Sequence, residues 1–155
     1  MCRGYALASF LPVLGAVRLV HAGDSELYLR FLDLCEKYAF RVYRWSERRA
    51  NAGQTSLFKL GSDIHHRRVT PSDAAGSITS YLLHYAPEAD FRRELDAPSD
   101  WYNWRGIKYF LYEYEEHLAR GTPVQLPWDV LARRDKKDSI EHVLPLGMSR
   151  SVLKS

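Results

Sequence analysis

Cysteine is scarce in this chain: Cys2 and Cys35 are the only two among 155 residues. Two thiols cannot build the disulfide framework of a small secreted scaffold, nor an all-cysteine zinc site. The chain is therefore expected to be cytoplasmic, with free thiols. No histidine stands at a motif spacing from either cysteine, which argues against a thiol nucleophile. Charge of one sign is also lacking. Twenty-two Lys and Arg against nineteen Asp and Glu leave +3, a mild balance for a nucleic-acid binder, although a pI near 8.9 permits one. No uncharged apolar stretch reaches the ~18 residues that a transmembrane helix requires, so no membrane association is expected. Internal repeats, low-complexity tracts and a glycine-rich phosphate loop are missing. What remains is one ordinary globular chain, whose 46% hydrophobic content suffices for a core.

Residues 1–22 combine Arg3, an apolar middle and a Val20-His21-Ala22 end, which are features of a secretory signal. Pro12 and Arg18 interrupt the apolar run, however, while Leu11, Leu14, Val17 and Val20 repeat at three-residue steps. A buried helix is the expectation. Leu27, Phe31, Leu34, Cys35, Tyr38 and Val42 then mark one face of a long helix that Asp24 or Ser25 can cap. Asn51-Ala52-Gly53 breaks it, and Leu57, Leu60 and Ile64 predict a shorter helix up to His65 and His66. Thr70-Pro71-Ser72-Asp73 is an explicit helix start, with Ile78, Tyr81, Leu82 and Tyr85 behind it and Pro87 as its stop. A short segment around Phe91 and Leu95 leads to a turn and cap at Ala97-Pro98-Ser99-Asp100. Beyond it, Trp104, Ile107, Leu111, Tyr114 and Leu118 form an apolar seam, with Trp101, Tyr109 and Phe110 beside it. Gly121, Pro123 and Pro127 stop helix formation, residues 133–138 read as a solvated charged link, and residues 139–144 read as a strand.

The fold expected is mainly α: a helical bundle-like domain over residues 1–120, a linker over 121–138, and a short β element starting at 139. Most polar clusters in it have an ordinary structural explanation. His65-His66-Arg67-Arg68 reads as a solvated helix end, because adjacent histidines point to different faces and chelate a metal poorly. The aromatic seam reads as core rather than as a base-stacking platform. Arg41, Arg44 and Arg48 share one helical face, with Arg49 adjacent, and such a stripe could follow a nucleic-acid backbone. Glu36 and Glu47 stand close enough in sequence to neutralise part of it.

Ile140-Glu141-His142-Val143-Leu144-Pro145 stands apart from these. An acidic residue before a histidine, flanked by β-branched residues and closed by proline, suits a one-metal nuclease. The imidazole can take a proton from an attacking water while the carboxylate holds a divalent cation against the scissile phosphate. The competing reading is a surface strand with an incidental histidine.

This segment resembles the I-E-H-I-L-P box of the HNH-type (His-Me finger) nuclease domain at the C-terminus of GmrSD-like, modification-dependent restriction endonucleases. The similarity extends upstream. Glu36-Lys37-Tyr38-Ala39-Phe40-Arg41-Val42-Tyr43 resembles the family's E-K-x-x-F-R-x-Y helix. Trp101-Tyr102, with Trp104-Arg105-Gly106-Ile107-Lys108-Tyr109-Phe110-Leu111-Tyr112-Glu113-Tyr114-Glu115, resembles its W-x-x-L-K-Y-x-L-Y-x-Y-E segment.

The resemblance implies a DNA-cleaving hydrolase of phage defence, with His142 as general base, Glu141 as metal ligand and magnesium or manganese as the ion. It also implies, beyond the box, a second strand and a helix that supply an asparagine and a further histidine or asparagine. The sequence ends at Ser155 after Leu146-Gly147-Met148-Ser149-Arg150. Residues 139–155 are thus expected to form only the start of a ββα-metal motif, with little nuclease activity alone. Expected partners are DNA and either the family's N-terminal ParB-like nucleotidase domain or a separate partner chain. The alternative is a non-catalytic helical module that binds nucleic acid or a partner subunit, through Arg41, Arg44 and Arg48 if the ligand is nucleic acid.

Overall fold

The structure, a computed structural model, describes residues 7–97, 104 and 106–120. It is mainly helical, and the described residues contain no strand. The chain divides into two compact units, Met1–Ser99 and Asp100–Ser155. This division comes earlier than residue 120, where composition suggests the end of the helical domain. The strand expected at 139–144 lies outside the described residues, as do the 121–138 linker and most of the 97–100 turn.

The first unit contains α1 (Leu7–Val20), α2 (Ser25–Tyr38), a π-helix (Ala39–Trp45), α3 (Gln54–His65), α4 (Pro71–Tyr85) and α5 (Glu88–Asp96). Local chemistry accounts for several of their ends. The Asp24 carboxylate accepts the Leu27 N–H at 2.8 Å, satisfying one of the free amides at the start of α2. Thr70 Oγ1 accepts the Asp73 N–H at 3.2 Å and donates to Asp73 Oδ2 at 2.7 Å, with Pro71 in the first turn of α4. Each such cap contributes about 1 kcal/mol.

α1 packs chiefly on α3 and also on α2, while α2, α3 and the π-helix pack on α4. The core is drawn from these elements, with Val13, Val17, Phe31, Leu57 and Ile78 almost wholly enclosed. Each side chain of this size stabilises the fold by about 1.5–3 kcal/mol through burial. Gly61 on α3 lies against Pro12 on α1, with no room between the two backbones for a side chain.

α1 is a helix in the core, as expected, but its buried face differs from the predicted one. Phe10, Val13, Leu14 and Val17 are buried, whereas Leu11 is 56% exposed. A helix turns about 100° per residue, so each three-residue step slips back by about 60°. Leu11 and Val20 therefore end on opposite sides, while the mixed steps from Phe10 to Val17 hold one face. No helix among the described residues is long and apolar enough to cross a membrane.

In the second unit, α6 (Ile107–Leu118) forms as the seam predicts. The Trp104 ring folds over Gly106, where any β-carbon would strike the indole, and stands 6.4 Å from the Phe110 ring. The expectation that this seam is core is not met, since α6 has no buried residue and Leu111, Tyr114 and Leu118 are exposed. Helical periodicity aligns apolar residues on a face; burying that face needs a second surface, which periodicity does not encode.

Candidate functional site

Glu141 and His142 lie outside the described residues. Among the described residues, no group of three or more His, Cys, Asp or Glu is placed to hold a metal ion. His66 Nδ1 lies 2.8 Å from the Ser62 carbonyl, and the His65 ring stands perpendicular to the His66 ring. That is a helix end rather than a chelate. Cys35 is buried, and burial pushes its thiol up to about 12, so it stays protonated and unreactive near neutrality.

The predicted arginine stripe is broken by the backbone. Residues 25–45 do not continue as one α-helix, because the winding changes at Ala39. The Ser46 N–H donates to the Arg41 carbonyl five residues back, and the Arg48 N–H to the Val42 carbonyl six back, both at 3.0 Å. The wider turn alters the angular step between side chains, and the helix ends at Trp45. Arg48 consequently belongs to the following turn rather than to a shared helical face.

Two tyrosines show what the π-helix accomplishes. Tyr38 Oη donates to the Ala52 carbonyl at 3.1 Å, and Tyr43 Oη donates to the same oxygen at 2.9 Å. Five residues apart on an α-helix, the two side chains would diverge by about 140°. With the wider turn their rings sit 5.6 Å apart, edge to face, and both lone pairs of one carbonyl are satisfied. Phe10 and Tyr85 add further edge contacts to Tyr38. Burial raises the pKa of both phenols, so they remain hydrogen-bond donors throughout the neutral range.

Arg41 is the second consequence of this winding. Its side chain is only 15% exposed. Nη1 donates to Glu88 Oε2 at 2.8 Å, Nη2 donates to the Ala86 carbonyl at 2.8 Å, and the guanidinium lies 4.5 Å from the centre of the Phe91 ring. Nε is buried and has no hydrogen-bond partner among the described residues. Arg41, expected as a nucleic-acid contact, is thus engaged within the fold, where its guanidinium fastens α5. Phe91 also meets Trp45 at 4.8 Å, yet α5 buries no residue of its own. Among the described residues, its attachment rests largely on the Arg41 guanidinium and the Phe91 ring. Arg44 and Arg48 remain more open, Arg44 partly exposed and Arg48 exposed.

Glu88 receives Arg92 Nε at 3.0 Å as well as Arg41, and these hydrogen bonds, with Arg92 the larger influence, hold its carboxyl below the usual range. A depressed folded-state pKa gives stability that is complete above the unfolded value near 4.5 and lost as pH falls through the folded one. Amide protection in residues 88–96, taken against the intrinsic exchange rate at each pH, is accordingly expected to fall as the solution is acidified below 4.5, with α1–α4 still protected. In Glu88→Gln that segment should already exchange faster at neutral pH and lose most of the acid dependence. An unchanged acid profile in the variant would contradict this assignment.

Sequence reading missed the roles of Arg41, Ala52 and Gly53. The tyrosines at i and i+5 were the available local signal for the altered winding, whereas Glu88 lies 47 residues from Arg41 and left none. No known protein family, no curated protein and no solved structure matches the chain.

Proposed function

We propose that this chain is part of a metal-dependent DNA endonuclease resembling the GmrSD-like HNH family of phage-defence restriction enzymes. The observation that carries the reading is the Ile140–Pro145 box, with Glu141 and His142 adjacent. Two upstream segments that resemble the family support it: residues 36–43, which lie on α2 and the π-helix, and residues 101–115, of which 107–115 lie on α6.

In this reading His142 takes a proton from the water that attacks the phosphodiester, and Glu141 is the ligand for magnesium or manganese. The ion, when bound, supplies positive charge to the phosphate oxygens. One carboxylate is a weak site for a cation that holds its hydration shell tightly, so substrate phosphate has to complete the coordination. Residues 1–155 by themselves are accordingly expected to cleave DNA weakly or not at all.

The test combines metal binding with cleavage. Manganese is expected to bind the chain more tightly when duplex DNA is present, with at least a tenfold loss in Glu141→Gln. Absence of manganese binding in the presence of DNA overturns the reading. Cleavage of unmodified, methylated or glucosylated DNA that disappears in His142→Ala would support the nuclease reading and overturn the expectation of weak activity. A non-catalytic module that binds nucleic acid is the second reading. The observation favouring it is that Arg44 and Arg48 have no acidic partner among the described residues.

A further inference from the structure

Three arginines are grouped where the π-helix closes. Arg44 occupies its last turn, while Arg48 and Arg49 follow in the exposed reversal. The reversal is tight: Glu47 adopts a left-handed φ of 46°, the Arg48 N–H returns to the Val42 carbonyl, and the Arg49 carbonyl accepts the Ala52 N–H at 2.8 Å. Three guanidiniums are thus carried by six consecutive residues that fold back on themselves. None of them has an acidic partner among the described residues, unlike Arg41, Arg68, Arg92 and Arg93, which all do. Glu47 is the only acid within the segment, and it forms no ion pair there.

We infer that the Arg44–Arg49 reversal is a contact surface for the phosphate backbone of duplex DNA. The inference rests on the endonuclease reading for its choice of polyanion, and it replaces the expected Arg41, Arg44 and Arg48 stripe with Arg44, Arg48 and Arg49. Guanidinium suits the task because its planar fork can donate two hydrogen bonds to one phosphate and never loses its charge. Duplex DNA presents a charge roughly every 1.7 Å of its axis, so three arginines on one tight turn meet a dense array of acceptors. Contacts of this kind hold the duplex without reading its sequence.

The experiment is a salt titration of duplex binding by fluorescence anisotropy, using the full chain and a triple variant, Arg44→Gln with Arg48→Gln and Arg49→Gln. Each phosphate contact contributes about 0.9 to the slope of log affinity against log salt, so the triple variant should lower that slope by about 2 to 3. A second triple, Arg30→Gln with Lys59→Gln and Arg67→Gln, removes the same charge from exposed positions elsewhere and should leave the slope nearly unchanged. Equal losses in the two triples would mean bulk charge and overturn the inference. So would an unchanged slope in the first triple, or no duplex binding by the native chain at low salt. Vesicles of phosphatidylserine and phosphatidylcholine form a further arm, and arginine-dependent binding to them without binding to DNA also overturns it. Manganese binding separates this surface from the nuclease reading. If the first triple keeps native duplex binding while Glu141→Gln loses manganese, the surface falls and the nuclease stands. If the triple loses DNA but the native chain never binds manganese, the surface stands and the nuclease falls.

Discussion

Gly53→Ala is expected to destabilise the first unit by about 2–5 kcal/mol, a large share of the stability of a marginally stable domain. Two independent costs combine. Gly53 has φ +75°, a conformation that costs a residue with a β-carbon about 1–2 kcal/mol. The added carbon would also run into Tyr38 Oη and lie 3.1 Å from Tyr85 Cε2. Tyr38 is fully buried and cannot withdraw without losing its bond to the Ala52 carbonyl, which adds about 1–3 kcal/mol. Denaturant unfolding followed by circular dichroism measures the sum. Asn tolerates a left-handed φ but keeps the β-carbon, so Gly53→Asn should recover only the backbone share. Combining Gly53→Ala with Tyr38→Phe removes the colliding hydroxyl, and the double variant should cost less than the two single changes added together. A Gly53→Ala shift under 0.5 kcal/mol would refute the packing described around Ala52.

Gly61→Ala should cost about 3 kcal/mol, through the contact between α1 and α3. A β-carbon there would lie 2.7 Å from the Pro12 carbonyl carbon, 2.8 Å from its oxygen and 2.9 Å from its Cβ. The obstacle is mostly backbone, which has no rotamer to change, so the two helices have to separate and lose packing along their length. Gly15→Ala is the matched control. It lies in α1 with nothing within 4 Å of its added carbon, and replacing a helical glycine should stabilise by up to about 1 kcal/mol. The two substitutions are chemically identical and should move the thermal midpoint in opposite directions. A Gly61→Ala midpoint at or above the native value would exclude the close approach of α1 and α3.

Helix existence and helix caps were legible because their causes lie within a few residues. Thr70, Pro71 and Asp73 specify the start of α4 among themselves, and Asp24 does the same for α2. The buried face of α1 was harder, since Leu11 and Phe10 are equally apolar and only the crossing with α3 decides between them. The change of winding at Ala39 was hidden more deeply. It is coupled to an acceptor at Ala52, in a turn whose geometry Gly53 sets, and a uniform 100° period assumes such changes away. The contacts of Arg41 were hidden for a similar reason: spacing showed where its α-carbon lay, and residues 86–91 determined where its guanidinium went. Glu141 and His142 stand out in the sequence because a carboxylate beside an imidazole is a pairing with possible chemistry before any fold is known. Their geometry lies outside the described residues.

The π-helix also makes the count of residues between Tyr38 and Ala52 as consequential as their identity. If ordinary α winding resumed across Ala39–Trp45 with every residue kept, Tyr43 would swing to about 140° from Tyr38 and everything downstream would rotate with it. Tyr43 would lose its shared acceptor and Arg41 its place over Phe91, although every element on either side kept its own sequence. Among natural variants of this chain, substitutions on the outer surface of the segment should therefore be common, while insertions and deletions within it should be rare.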